Sequence, residues 1–215
     1  MVIVLVVLTV AAFMLADWYL IRRRQNAAES AAVAAAAGLF LHPGHTWVRI
    51  GADGRVLVGA SDFAASFAGA LATIELPQLG ARLRQGQPAW TLVSAGKRRL
   101  TQVMPVEGEV VEVNPALRGS PAPARQEGSR TDWILRVRPR HVRENLLNLL
   151  HGEAADLWVE ATRSCVNARL RPALGRLAND GGQWLPGFGD LLEDSVWQAL
   201  RRELFPADGG PMRGA

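Results

Sequence analysis

Lys97, within the stretch SAGKRRL (residues 94–100), is the one lysine of a 215-residue chain that carries 24 basic residues, the other 23 being arginine. The two side chains are not chemically interchangeable. A lysine amine has an accessible neutral form and can be acylated to an amide, whereas a guanidinium stays protonated and is a poor nucleophile. A single amine among arginines is therefore the first place to look for covalent chemistry. Lys97, Arg98 and Arg99 together also make a cationic tip suited to an acidic partner or to lipid headgroups.

The other reactive side chains offer less. The lone Cys165 excludes an intrachain disulfide and a cysteine-based zinc site, and on an apolar helix face it reads as a small buried hydrophobe. His42, His45, His141 and His151 form no ligand pair on one helix face. Serine, histidine and aspartate occur without a nucleophile elbow, and there is no glycine-rich phosphate loop. Glu107, Glu109 and Glu112 fall on a strand pattern that points them to solvent. The chain reads as a non-enzyme with no catalytic residues and no metal site. A net charge of +4 spread along the chain, with no RNP, helix-turn-helix or finger pattern, gives no case for nucleic acid.

The elements that must position Lys97 follow from pattern. Residues 1–21, MVIVLVVLTVAAFMLADWYLI, carry one charge, Asp17, and as a helix would span about 30 Å, a bilayer core. No cation precedes this run, while Arg22, Arg23 and Arg24 follow it. The positive-inside rule then puts the N-terminus outside and the remainder in the cytoplasm, a single pass of the inner membrane. Trp18 and Tyr19 stand where an aromatic belt would anchor it. Residues 22–42 read as an alanine-rich stalk or linker. Residues 43–139 break into short strands separated by turns, with a helix near DFAASFAGAL capped by Asp62, a pattern of sandwich or barrel. From 140 to 205 the helical period returns. One helix runs on from Arg143 until Pro172 kinks or ends it, and a last amphipathic helix is opened by Asp190 with Glu193. Residues 206–215 read as a disordered tail.

Four blocks in the β-rich part resemble the H protein of the glycine cleavage system. They are HTWVRIGADGRVLVGASDFA (45–64), ATIELPQLGARLRQGQP (72–88), MPVEGEVVEVNPAL (104–117) and DWILRVRP (132–139). The resemblance implies a lipoyl-type hybrid β-sandwich, here preceded by one transmembrane helix and followed by an α-helical C-terminal extension. In that family a lysine on a tight hairpin turn carries lipoate through an amide bond. Lys97 falls on that position, eight residues before Pro105 and eleven before Gly108. His45 and Trp47 match a landmark of the fold and read as structural. Two departures stand against a full match. Ser94 occupies the place three before the lysine where the family commonly has an acidic residue, and 124–132 lack the family's Asn-x-x-Pro-Tyr-Gly-x-Gly.

Two functions follow. The favoured expectation is a membrane-anchored structural or interaction subunit of a larger respiratory or photosynthetic complex, with no cofactor. Its contacts would be the bilayer and other subunits, met through Lys97, Arg98, Arg99, Trp158 and Trp197, although the tryptophans of the C-terminal helices read first as packing against the sandwich. The alternative is a carrier with lipoate on Lys97, shuttling reducing equivalents or an aminomethyl group between partner enzymes. A membrane-fusion adaptor is a poor fit, because such proteins insert a long helical hairpin where this chain has a tight turn.

Overall fold

The computed structural model describes residues 13–20, 38–51, 53–118, 132–174, 179–180 and 183–205. Most of the apolar N-terminal run, residues 21–37 with Arg22, Arg23 and Arg24, and the tail from 206 lie outside these residues. Residues 13–20 are helical (α1), with Phe13, Met14, Leu15, Trp18, Tyr19 and Leu20 all exposed. Among the described residues no helix is long and apolar enough to cross a membrane.

The sandwich has two antiparallel sheets. The larger contains β1 (Leu39–His42), β2 (Thr46–Ile50), β3 (Val56–Ala60), β5 (Arg82–Leu83), β8 (Gly108–Val113) and β9 (Leu135–Pro139), in the order β1-β2-β3-β9-β8-β5. The smaller contains β4 (Leu71–Glu75), β6 (Pro88–Ser94) and β7 (Arg99–Val103), in the order β4-β6-β7. Alternation explains why these segments are strands. In β7, Leu100 and Gln102 turn inward while Arg99 stays exposed and Thr101 half-buried, the period of two that gives one sheet face to the core. A continuous apolar cluster draws Val48, Val58 and Val137 from one sheet, Trp90, Leu92 and Leu100 from the other, and Phe63 and Phe67 from helix α2 (Asp62–Ala68). Each such side chain removed from water stabilises the fold by roughly 1.5–3 kcal/mol.

Local details differ from the pattern reading. The sheet begins upstream of the boundary drawn at residue 43, because Leu39–His42 pair with Thr46–Arg49. Helix α2 is capped by Ser61, whose Oγ accepts from Ala64 N at 3.2 Å, and Asp62 is its first residue. The helix expected from Arg143 is two helices, α3 (Val142–Leu146) and α4 (Gly152–Leu174). The break has a clear cause: Leu150 exchanges two 2.8 Å backbone bonds with Leu41 on the sheet edge, which demands extended backbone there. Gly152 then re-enters the helix at φ 55°. Pro172 does not stop α4, which runs two residues further, to Leu174.

The extension covers the sandwich twice. Helix α4 lies over the outer face of the larger sheet, where Leu41, Trp47, Trp133 and Ala155 form a second apolar cluster with Trp158 packed against it. After a short ribbon of β10 (Asn179–Asp180) and β11 (Gln183–Trp184), a 3-10 turn at Phe188–Leu191 leads into α5 (Asp194–Leu204). Glu193 sits at the N-cap of α5 without a side-chain bond. Asp190 is not its capping partner. Its carboxylate instead accepts from Ala70 N at 2.6 Å, tying the turn to the sandwich. Gly189 is required at this joint, since a Cβ there would lie 1.9 Å from the Phe67 carbonyl oxygen.

Candidate functional site

Lys97 stands at the end of the β6–β7 hairpin. Ser94 O accepts from Lys97 N and Ser94 N donates to Arg98 O, both at 2.9 Å, closing a loop of Ala95, Gly96 and Lys97. Lys97 has φ 64°. A three-residue hairpin loop of this kind ends on a left-handed residue, usually glycine. For a residue with a Cβ that conformation costs about 1–2 kcal/mol. The sequence has glycine next door, at Gly96, and keeps lysine at the strained place. His45 and the exposed His141 also hold left-handed backbone, at φ 60° and 48°, so what marks Lys97 is the strain together with its being the sole amine side chain of the sequence.

The turn is well supported from below. Ser94 is buried, and its Oγ accepts from Arg98 N at 3.1 Å. Ala95 N donates to Ala70 O at 2.7 Å, fixing the tip to the start of β4. Within the strands Leu92 faces Leu100, and the Thr91 and Thr101 hydroxyls meet at 3.2 Å. Lys97 is exposed. Among the described residues its amine has no ion-pair or hydrogen-bond partner. The arrangement holds a primary amine clear of the surface, where an enzyme that acylates it could reach it.

The other two cations of the tip are committed. The Arg98 guanidinium donates to Gly189 O and, at 2.7 Å, to Leu192 O, with Asp194 at 3.5 Å and the Trp197 ring face at 5.5 Å. Its side chain keeps only 17 % of its exposure. Arg98 is therefore a clasp between hairpin and extension, not a free docking charge. Arg99 forms a forked pair with Glu75, one arm at 2.7 Å. The hydrogen bond from Arg99 holds the Glu75 carboxyl below its usual range, and the same bond raises the Arg99 value.

Of the two readings of the C-terminal tryptophans, packing and docking, the structure gives packing. Trp197 is 1 % exposed, stacks on Phe67 at 5.3 Å and donates its Nε1–H to Phe67 O at 2.9 Å. Its amphipathic helix turns the ring to the core, so it binds the extension to α2 and offers nothing to a partner. Trp158 is half-buried against His45 at 4.6 Å. Trp18 and Tyr19 are exposed on α1.

His45 lies fully buried among Phe63, Trp158 and Phe205, with ring separations of 4.6, 4.6 and 4.7 Å. Burial first, and then the neighbouring His42, push its pKa down to about 3. Burial lowers His42 to about 4, and its Nδ1 accepts from Gly44 N at 2.8 Å. Both are neutral structural groups at pH 7. Cys165, expected to be buried, is half-buried, 3.8 Å from Glu203, and burial followed by that carboxylate raises its thiol pKa. Pattern reasoning did not find the partnerships of Arg98, Glu75 and Asp190. Each joins residues far apart in the chain and leaves no local signal.

Comparison with known proteins gives a consistent set. The family profile described as "Glycine cleavage H-protein" matches residues 39–162. A probable glycine cleavage system H protein of Thermococcus gammatolerans is 35% identical over 125 residues, covering 58% of this chain and 91% of that protein. Glycine cleavage system H protein 2 of Pseudomonas syringae pv. tomato is 40% identical over 106 residues, covering 49% of this chain and 81% of its own. A crystal structure of a glycine cleavage system H protein from Mycobacterium marinum aligns with a TM-score of 0.48 at 23% identity, over 59% of this chain and 98% of that one. The matched segment ends inside α4, so the clasp made by Gly189–Leu204 lies beyond it.

Proposed function

Because the chain belongs to the glycine cleavage H-protein family, we propose that it is a lipoyl carrier whose attachment residue is Lys97. The observation that carries this reading is the sole lysine of the chain, exposed in a left-handed conformation at the end of the β6–β7 hairpin. Lipoate, when attached, supplies a dithiolane that is reduced and carries a transferable group. The residues of this chain do the rest. The Lys97 amine in its neutral form is the nucleophile that takes an activated acyl group, losing one proton as the amide forms and the activating group leaves. Ser94 and Ala95 hold the turn, and Arg98 fixes its flank.

Ser94, which replaces the acidic residue common in the family, counts against modification together with the Arg98–Arg99 pair that follows Lys97. Its hydroxyl has a local task in the turn, so its presence weighs little against modification. The partners proposed are proteins of a glycine cleavage-type system, as the names of the relatives suggest. We further propose that residues 1–21 tether the domain to the inner membrane with the sandwich in the cytoplasm. The apolar, exposed face of residues 13–20 supports that reading, as does the charge order of the sequence.

Intact mass measured on the chain purified from its own source tests the carrier proposal. A lipoyl amide increment on Lys97 that disappears in Lys97→Arg is the expected result. An unmodified mass from cells that lipoylate their other carriers would overturn it.

A further inference from the structure

The 3-10 turn at Phe188–Leu191 is tied to the Lys97 hairpin from two directions. Arg98, the residue after Lys97, donates to the carbonyls of Gly189 and Leu192. The Asp190 carboxylate accepts from Ala70 N, and Ala70 O accepts from Ala95 N within the hairpin loop. These bonds fix the turn relative to the amine. Between the two carbonyls held by Arg98 stands Leu191, 54 % exposed and not part of the core. Glu193 and Asp194 follow it, both exposed. Neither carboxylate is needed to hold the turn. Glu193 makes no capping bond and, among the described residues, enters no ion pair. Asp194 meets Arg98 only at 3.5 Å, and its side chain keeps 75 % of its exposure. An apolar side chain with charged neighbours has the make-up of an interface patch, apolar at the centre and polar at the rim. Its fixed geometry lowers the cost of binding it.

We propose that Leu191, Glu193 and Asp194 are a docking handle for the enzyme that acylates Lys97, which meets them with an apolar pocket rimmed by cations. The two free carboxylates set the sign of the partner's surface. Position sets which partner it is. The hairpin is bound to the extension at Arg98, so a protein that works on the Lys97 amine comes within reach of the turn. The matched family segment ends at residue 162. The handle is therefore an addition to that segment, and it distinguishes this chain from carriers made of the matched segment alone. The inference rests on the carrier reading and adds to it the surface by which the amine is found.

The lone lysine is its own reporter. The full, unmodified chain is acylated by the lipoylating enzyme of its own source, with the activated acyl donor in excess, and kcat/KM at Lys97 is read by peptide mass. In parallel an acetylating ester modifies the same amine without an enzyme. Leu191→Ser and Glu193→Lys should each lower the enzymatic kcat/KM about tenfold, through KM, and leave the ester rate unchanged. Glu193→Asp should keep the wild-type value. So should Leu147→Ser, a leucine still more exposed that follows α3, where Asn145 O accepts from Gln85 at the open end of the β6–β7 hairpin. Wild-type kcat/KM in both Leu191→Ser and Glu193→Lys would overturn the handle and leave the carrier reading standing. A fall matched by the ester rate would also overturn it, because the turn would then act on the amine and not on the enzyme. A wild-type chain that the ester acetylates and the enzyme ignores would end the carrier reading, and the handle with it.

Discussion

The last part of the C-terminal extension, from Gly189 to Phe205, meets the sandwich along two seams of opposite character. At α2 the seam is aromatic: Trp197 lies flat on Phe67 with 4° between the rings, and Phe205 stacks on Phe63 and Phe67. At the hairpin the seam is polar, a single guanidinium bound to two carbonyls and a carboxylate. The first seam removes a large apolar area from water and so supplies adhesion. The second contributes less energy and more geometry, because planar donors fix direction as well as distance. The extension is held on by one seam and aimed by the other.

If that division is right, the largest single loss comes from the aromatic seam. Trp197→Ala removes a stacked ring and leaves the Phe67 carbonyl without its indole partner. Chemical denaturation should show a loss of about 3–5 kcal/mol. A change below 1 kcal/mol would mean the extension is not part of the cooperative unit.

Acid should attack the same seam. Below pH 6.5 the unfolded chain binds a proton at His45 that the folded chain, with its value near 3, refuses. The His45 contribution is therefore flat above pH 6.5 and falls as pH drops toward 3, by about 2 kcal/mol at pH 5, and His42, lowered to about 4, adds a loss of similar size over the same range. His45→Phe should remove about half of that slope. A variant that keeps the full slope would move the cause to His42 or elsewhere.

Much of the sandwich was legible in the sequence because each strand carries its own period and turn signals, as TWVRIG-ADG-RVLVGA does. Lys97 was legible for a different reason: its residue type is unique in the chain. What stayed hidden was contact at long range. Nothing in KRR distinguishes Arg98, bound to residues 91 and 94 positions away, from Arg99, paired across a strand with Glu75. For Trp197, on a helix outside the recognisable domain, the sequence left packing and docking both open, and only the packing of α5 decides for the first. The strand Leu39–His42 hid behind the alanine run. Its apolar residues became a strand only through pairing with β2.

The polar seam should cost less to break and show it elsewhere. Arg98→Ala removes the donor to the Leu192 carbonyl, leaves the Gly189 carbonyl with only the Leu192 N–H at 3.2 Å, and should lose about 2 kcal/mol. Hydrogen exchange at the Lys97 amide should also speed up, since the turn loses its flank. Arg98→Lys retains the charge but not the fork, so exchange at Lys97 should still rise. Unchanged exchange in both variants would make the clasp adhesive only.

The smallest effect has the opposite sign. Lys97 occupies a left-handed position that glycine fills without strain, so Lys97→Gly should raise stability by about 1 kcal/mol in thermal unfolding. Lys97→Arg, with the same backbone and charge, should leave it unchanged. The pair separates two reasons for a lysine here. If the residue served the fold, replacing it with glycine would cost stability. A gain in Lys97→Gly, with none in Lys97→Arg, means the turn tolerates a strained residue for the sake of its amine.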